Sequence, residues 1–173
     1  ENCIKTAKSS INNVEFCAVD ASRAEGDFLE KAINTAISAG ATSICVCDSA
    51  ANMLPDDFAT FAKKITSICT VPVGVKCDNK NGLAIAQAIL AVKQGVQFVK
   101  TAVDGNTVQL DTFANMIKNC GNDYGFMSNI KSTELNRIIR QIDVAPTISA
   151  LFGVRFPAQC EGAPAYQILD WEF

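Results

Sequence analysis

No histidine occurs anywhere in the 173 residues. That absence removes Ser–His and Cys–His nucleophile pairs, imidazole general bases and imidazole metal ligands. Any chemistry must then run on carboxylates, lysines, thiols, hydroxyls or backbone. There is no Cys-x-x-Cys pair either. The eight cysteines (Cys3, Cys17, Cys45, Cys47, Cys69, Cys77, Cys120 and Cys160) are irregularly spaced, which speaks against a zinc ribbon. No run approaches the roughly eighteen uninterrupted apolar residues of a membrane-spanning helix. The opening Glu1-Asn2-Cys3-Ile4-Lys5 lacks the apolar core of a signal peptide. Positive charge is also in short supply. Fifteen Lys and Arg against eighteen Asp and Glu leave a formal charge of −3, a field favouring neither nucleic acid nor an anionic membrane surface.

What is present is a globular composition, 49% hydrophobic and 19% charged. Several cysteines lie inside apolar runs such as Ile44-Cys45-Val46-Cys47, where the thiol behaves as a small hydrophobe. Buried, reduced thiols in a cytoplasmic protein are the expectation, ahead of a disulfide framework.

From residue 14 to about 119 the chain alternates two periods. Val14–Val19, Ser43–Cys47, Val71–Cys77 and Gln97–Val103 read as strands. Between them, residues 27–39 place Phe28, Leu29, Ala32, Ile33, Ala36 and Ile37 on one helical face, stopped by Gly40. Pro55 suits a first helical position, with Asp56 and Asp57 in the first turn and Phe58, Phe61, Ala62, Ile65 and Ile68 facing inward. Residues 82–94 predict a third helix burying Leu83, Ile85, Ala88, Ile89 and Val92, and Leu110–Asn119 a fourth. Crossovers this short imply parallel strands.

Each strand ends in an aspartate: Asp20, Asp48, Asp78 and Asp104, at steps of 28, 30 and 26 residues. The carboxyl ends of parallel strands form the functional face of α/β folds, so Asp20 and Asp48 are candidate ligand contacts. Capping of the following turn is the alternative for each. Residues 1–119 make up the βα region, 120–146 a turn-rich linker and a helix burying Leu135, Ile138, Ile139 and Ile142, and 147–173 a tail.

The run Val14-Glu15-Phe16-Cys17-Ala18-Val19-Asp20-Ala21-Ser22-Arg23 resembles the fifth-strand signature of the 2-isopropylmalate synthase, homocitrate synthase and HMG-CoA lyase family. Asp48-Ser49 stands where that family has Asp-Thr, Leu54-Pro55-Asp56-Asp57-Phe58 is similar to its Pro-Glu-Glu-Phe helix start, and Gly82-Leu83-Ala84 matches its Gly-Leu-Ala. Ile130-Lys131-Ser132-Thr133-Glu134-Leu135 resembles the helix after the synthases' barrel. The resemblance implies an α/β chain equivalent to strands five to eight of a (β/α)8 barrel, with an extra C-terminal helix and tail.

It also implies a divalent metal, held in the family by a strand-one aspartate and a His-x-His pair on strand seven. Those two positions read Lys76 and Asp78 here. Residues two apart on a strand share a face, so both reach one point in the mouth. Asp78 can still ligate; Lys76 cannot while protonated. The synthases' strand-five glutamate is Val19, whereas Ser49 keeps the hydroxyl of the family's threonine as a substrate contact. Lys76 as a neutral base or Schiff-base nucleophile is the catalytic alternative, against a salt bridge to Asp78 or Asp48.

Four strands leave two open edges, and Val14, Phe16, Val46, Val73, Val75 and Phe98 are expected to point into the barrel. Completion comes from an upstream segment or a complementing half-barrel chain, from a second copy, or from the tail covering an open sheet. The first is favoured, because the chain begins without Met. The functional expectation is a degenerate, non-catalytic relative binding a partner or a small keto acid. The alternatives are an altered enzyme, or one piece of an acyl-CoA-dependent carbon–carbon bond-forming or -cleaving enzyme.

Overall fold

The computed structural model describes residues 1–103 and 105–131, with Leu135, Ile148 and Ser149. The chain divides into two compact units, Glu1–Gln109 and Leu110–Phe173. In the first, a helix not anticipated from the pattern, α1 (Asn2–Ser10), precedes β1 (Glu15–Ala18), α2 (Gly26–Ser38), β2 (Ser43–Asp48), α3 (Pro55–Ile68), β3 (Val73–Cys77), α4 (Ala84–Lys93) and β4 (Phe98–Val99). The expected fourth strand breaks after Val99: β5 (Thr101–Ala102) pairs instead with β6 (Val108–Gln109). The second unit opens with α5 (Leu110–Cys120), which buries Ala114 and Ile117, and a 3-10 turn at Gly121–Tyr124. Of the expected 120–146 helix and the 147–173 tail, all but a few positions lie outside the described residues, as does Asp104.

The helices follow from local chemistry. Leu29, Ile33 and Ala36 line the buried side of α2 at helical spacing, while Phe28 at its edge is 68% exposed. Gly40 then takes φ +106°, a backbone turn that a side chain would strain. Pro55 opens α3 and Asp56 and Asp57 follow in its first turn; Phe58, Ala59, Ala62 and Ile65 are buried. On α4 the buried stripe is Ala84, Gln87, Ala88 and Ala91, which shares only Ala88 with the expected Leu83, Ile85, Ala88, Ile89 and Val92. This helix is apolar nearly all round, so its period does not fix its inward side. The small residues take the tight contact, and Leu83 is 36% exposed.

Strands β1 to β4 form one parallel sheet in unbroken order, with Phe16 opposite Ile44, Ile44 opposite Val73 and Val46 opposite Val75. Right-handed crossovers between successive neighbours place α2, α3 and α4 on a single face. A doubly wound sheet would instead reverse its order partway. The other face is therefore the one a barrel turns inward.

Side-chain parity corrects one expectation. Phe16 lines an apolar groove with Ile4, Phe28, Ala32 and Ala36, so it points to the helices. Strand alternation and register carry Val14, Val46, Val73 and Val75 to the same side. The inward face bears Glu15, Cys17, Cys45, Cys47, Gly74, Lys76 and Phe98. In β1 and β3 the apolar positions alternate with Glu15, Gly74 and Lys76, and it is the apolar side that packs under the helices; β2 is apolar on both faces and carries no phase of its own.

Candidate functional site

At the carboxyl tips of β1 to β3 the structure brings together Asp20, Asp48, Ser49, Lys76 and Asp78. Asp20 sits in the left-handed region (φ 58°, ψ 32°), and the Arg23 guanidinium beside it holds its carboxyl below the usual range. Its backbone N–H donates to the Ser49 hydroxyl at 3.2 Å. Lys80 from the β3–α4 loop donates to the Ser49 carbonyl at 2.7 Å, and Asn81 to the Ala51 carbonyl at 2.7 Å. The loop after β3 thus straps down the loop after β2. Val19, in place of the family's glutamate, is 73% exposed at the same rim and brings no acid–base group.

Asp48 is wholly buried. Its Oδ1 accepts from Ser22 Oγ at 2.7 Å and from the Asn52 N–H at 3.4 Å. Its Oδ2 accepts from Gln87 Nε2 at 2.9 Å and from the Met53 N–H at 3.4 Å. Gln87 also donates to the Met53 carbonyl at 2.8 Å, which leaves its own Oε1 without a partner. A carboxylate taken out of water needs such a set of donors to offset its lost hydration. Here they tie the β2–α3 loop to α4, and a ligand contact through Asp48 would require this network to open. Nothing in the sequence pattern singled out Gln87.

On the inward face, Lys76 Nζ donates to Asp78 Oδ1 at 2.8 Å. That bond raises the Lys76 pKa above its ordinary 10.5, so the amine is an ammonium at neutral pH. A neutral-amine base or Schiff-base nucleophile is disfavoured by this pairing. Lys100 is likewise held charged by its bond to Glu15. The same inward face carries three thiols on β1 and β2. Cys17 pairs in register with Cys45, Cys47 follows on the same face, and the three sulfurs lie within 4.8 Å of one another. The Cys47 thiol is pulled down to about 6, chiefly by hydrogen bonding from Cys45, against burial, and with help from Cys17, Lys76 and Lys100. Cys45 is pushed up by the same bond and by burial. The seven described cysteines are free.

The divalent metal implied by the resemblance does not fit the residues present. Asp78 already has an ammonium on Oδ1, and among the described residues it belongs to no cluster of three ligand side chains. A second cation beside Lys76 would be repelled. No helix among the described residues is long and apolar enough to cross a membrane.

Comparison with known proteins gives a consistent picture. The HMGL-like family model matches residues 1–142. A 2-isopropylmalate synthase from Pelotomaculum thermopropionicum is 30% identical over 161 residues, 88% of this chain and 31% of that protein. Homocitrate synthase AksA from Methanopyrus kandleri is 32% identical over 174 residues, 91% of this chain and 44% of that protein. The chain thus spans less than half the length of these relatives. Among solved structures, an HMG-CoA lyase from Acenitobacter baumannii, in complex with coenzyme A and 3-methylmalate, superposes with a TM-score of 0.68 at 14% identity, covering 99% of this chain and 58% of that one. The carboxyl transferase domain of Rhizobium etli pyruvate carboxylase gives 0.63 at 18% identity, covering 78% and 24%.

Proposed function

Since the chain belongs to the HMGL-like family, we propose that it is a non-catalytic relative that keeps the fold to bind a small keto acid at the strands' carboxyl tips. The observation that carries this reading is the Lys76–Asp78 ion pair, which occupies the positions where the family places two imidazoles on its metal. An ammonium in place of a metal still attracts a carboxylate, but it does not polarise a substrate carbonyl as a Lewis acid does. Val19 takes away a second catalytic group at the rim. Ser49, with its hydroxyl already accepting from Asp20, remains as a hydroxyl or carboxylate contact.

The decisive experiment incubates the chain with acetyl-CoA and a set of 2-keto acids, with Mg2+ or Mn2+, and follows product by mass spectrometry alongside calorimetric titration of each keto acid. Binding without product is expected, with the heat weakened in Lys76→Met. Product above the blank, abolished in Lys76→Met, sinks the reading, as does an absence of binding for every keto acid tried. A second reading is that the chain is one piece of an acyl-CoA-dependent carbon–carbon bond-forming or -cleaving enzyme. It is favoured by the partial coverage of the relatives and by β1, which has no partner on its outer side among the described residues. Turnover only after addition of a chain carrying the missing strands would select it.

A further inference from the structure

We propose that Cys17, Cys45 and Cys47 form a three-sulfur site for a soft monovalent cation, Cu(I), on the inward face of the sheet. The sheet register creates the site. Cys17 on β1 stands opposite Cys45 on β2, and Cys47 is two residues further along the same face. All three sulfurs fall within 4.8 Å of one another, and Cys17 and Cys47 approach to 3.4 Å. With metal–sulfur bonds of about 2.3 Å, three thiolates around one ion sit roughly 4.0 Å apart, a spacing within reach of small side-chain adjustments.

A disulfide uses these groups less well. Any pairing of two sulfurs leaves the third thiol stranded, and even the near pair Cys17 and Cys47, at 3.4 Å, would have to close to about 2.05 Å. One ion engages all three. Cys45 and Cys47 are buried, and the half-buried Cys17 provides the way in.

The surroundings choose among cations. Among the described residues no carboxylate joins the cluster, which leaves three soft donors and no hard one. Mg2+ and Ca2+ require oxygen ligands, and structural Zn2+ favours four. Thiolate donors suit Cu(I), Zn2+ and iron–sulfur clusters alike, and the count of three with no fourth side chain among the described residues favours Cu(I), for which a three-sulfur set suffices. Binding displaces the thiol protons to solvent and leaves excess negative charge on the sulfurs. Lys76, the register partner of Cys47, and Lys100 stand close enough to lower the proton affinity of Cys47, and the same ammoniums stabilise that charge.

The test titrates the reduced full chain anaerobically with Cu(I) against a chromophoric Cu(I) chelator. One tightly held ion per chain is expected, with a thiolate-to-copper charge-transfer band in the near ultraviolet. Cys17→Ser/Cys47→Ser should weaken that binding at least a hundredfold. The variant Cys3→Ser/Cys69→Ser/Cys120→Ser/Cys160→Ser should retain it. Retention in the first variant or loss in the second overturns the site. X-ray absorption of the unmutated copper-loaded chain, which depends on no variant folding, should count three sulfurs; two or fewer overturns it, and so does Zn2+ displacing Cu(I) in direct competition. Keto-acid binding is read separately by calorimetry on metal-free protein, so either proposal can fail without the other.

Discussion

Lys76 shows how one side chain redirects a site. Two imidazoles at the β3 tip would recruit a cation; the ammonium recruits Asp78 and repels one. Because the Asp78 bond raises the folded-state pKa of Lys76 above 10.5, its contribution to stability is complete below that value and is lost as the pH climbs through the higher folded value. The side chain is 36% exposed, so solvent screening holds the contribution to about 0.5 kcal/mol. Urea melts of the chain and of Lys76→Met are therefore expected to differ by a constant small amount from pH 7 to 10 and to converge towards pH 12. A gap that widens at high pH contradicts the assignment of Lys76 as the charged partner. Asp48 makes the complementary point. The sequence identified it as a strand-end carboxylate, but not that Ser22, Gln87 and two backbone N–H groups would absorb it, because those donors come from three separate elements. The thiol cluster was hidden for the same reason. Cys45 and Cys47 advertise a shared face, whereas Cys17 joins them only through the pairing of β1 with β2.

At the level of elements, period and punctuation were largely sufficient. The α2 and α3 spans, the Gly40 stop and the Pro55 start follow from residues within a turn of each boundary. What failed to show was orientation and interruption. Strand β2 is apolar on both faces and α4 is apolar nearly all round, so neither carries a phase. The break after Val99 depends on β6, which arrives only at Val108. Gly74 illustrates an element whose requirement is purely spatial. A Cβ there would lie 2.1 Å from the Phe98 ring, which crosses the strand at its register partner. Gly74→Ala is expected to destabilise the chain by about 1–3 kcal/mol, as overpacking does. Pairing it with Phe98→Leu should recover part of the loss in the same denaturant titration. Full stability in the single variant would mean that the ring does not occupy that space.

For the whole molecule, the unreversed strand order poses a problem that the described residues do not solve internally. A sheet with every crossover helix on one face and β1 unpaired on its outer side has the form of a barrel sector. The inward face carries Cys17, Lys76 and Phe98 at intermediate exposure beside the Glu15–Lys100 ion pair. Such an edge is a template for another strand, and the relatives, of which this chain spans less than half, have the length to supply it. Completion by a second copy or by a complementing chain is therefore proposed over a solitary sheet. Sedimentation of the chain at increasing concentration should give a mass above that of one copy, or a shift to a one-to-one complex when a chain bearing the first four strands of a relative is added. A single-copy mass under both conditions, with a sharp cooperative melt, would show that the sheet needs no further strands, and the edge of β1 would then have to be protected by the chain itself.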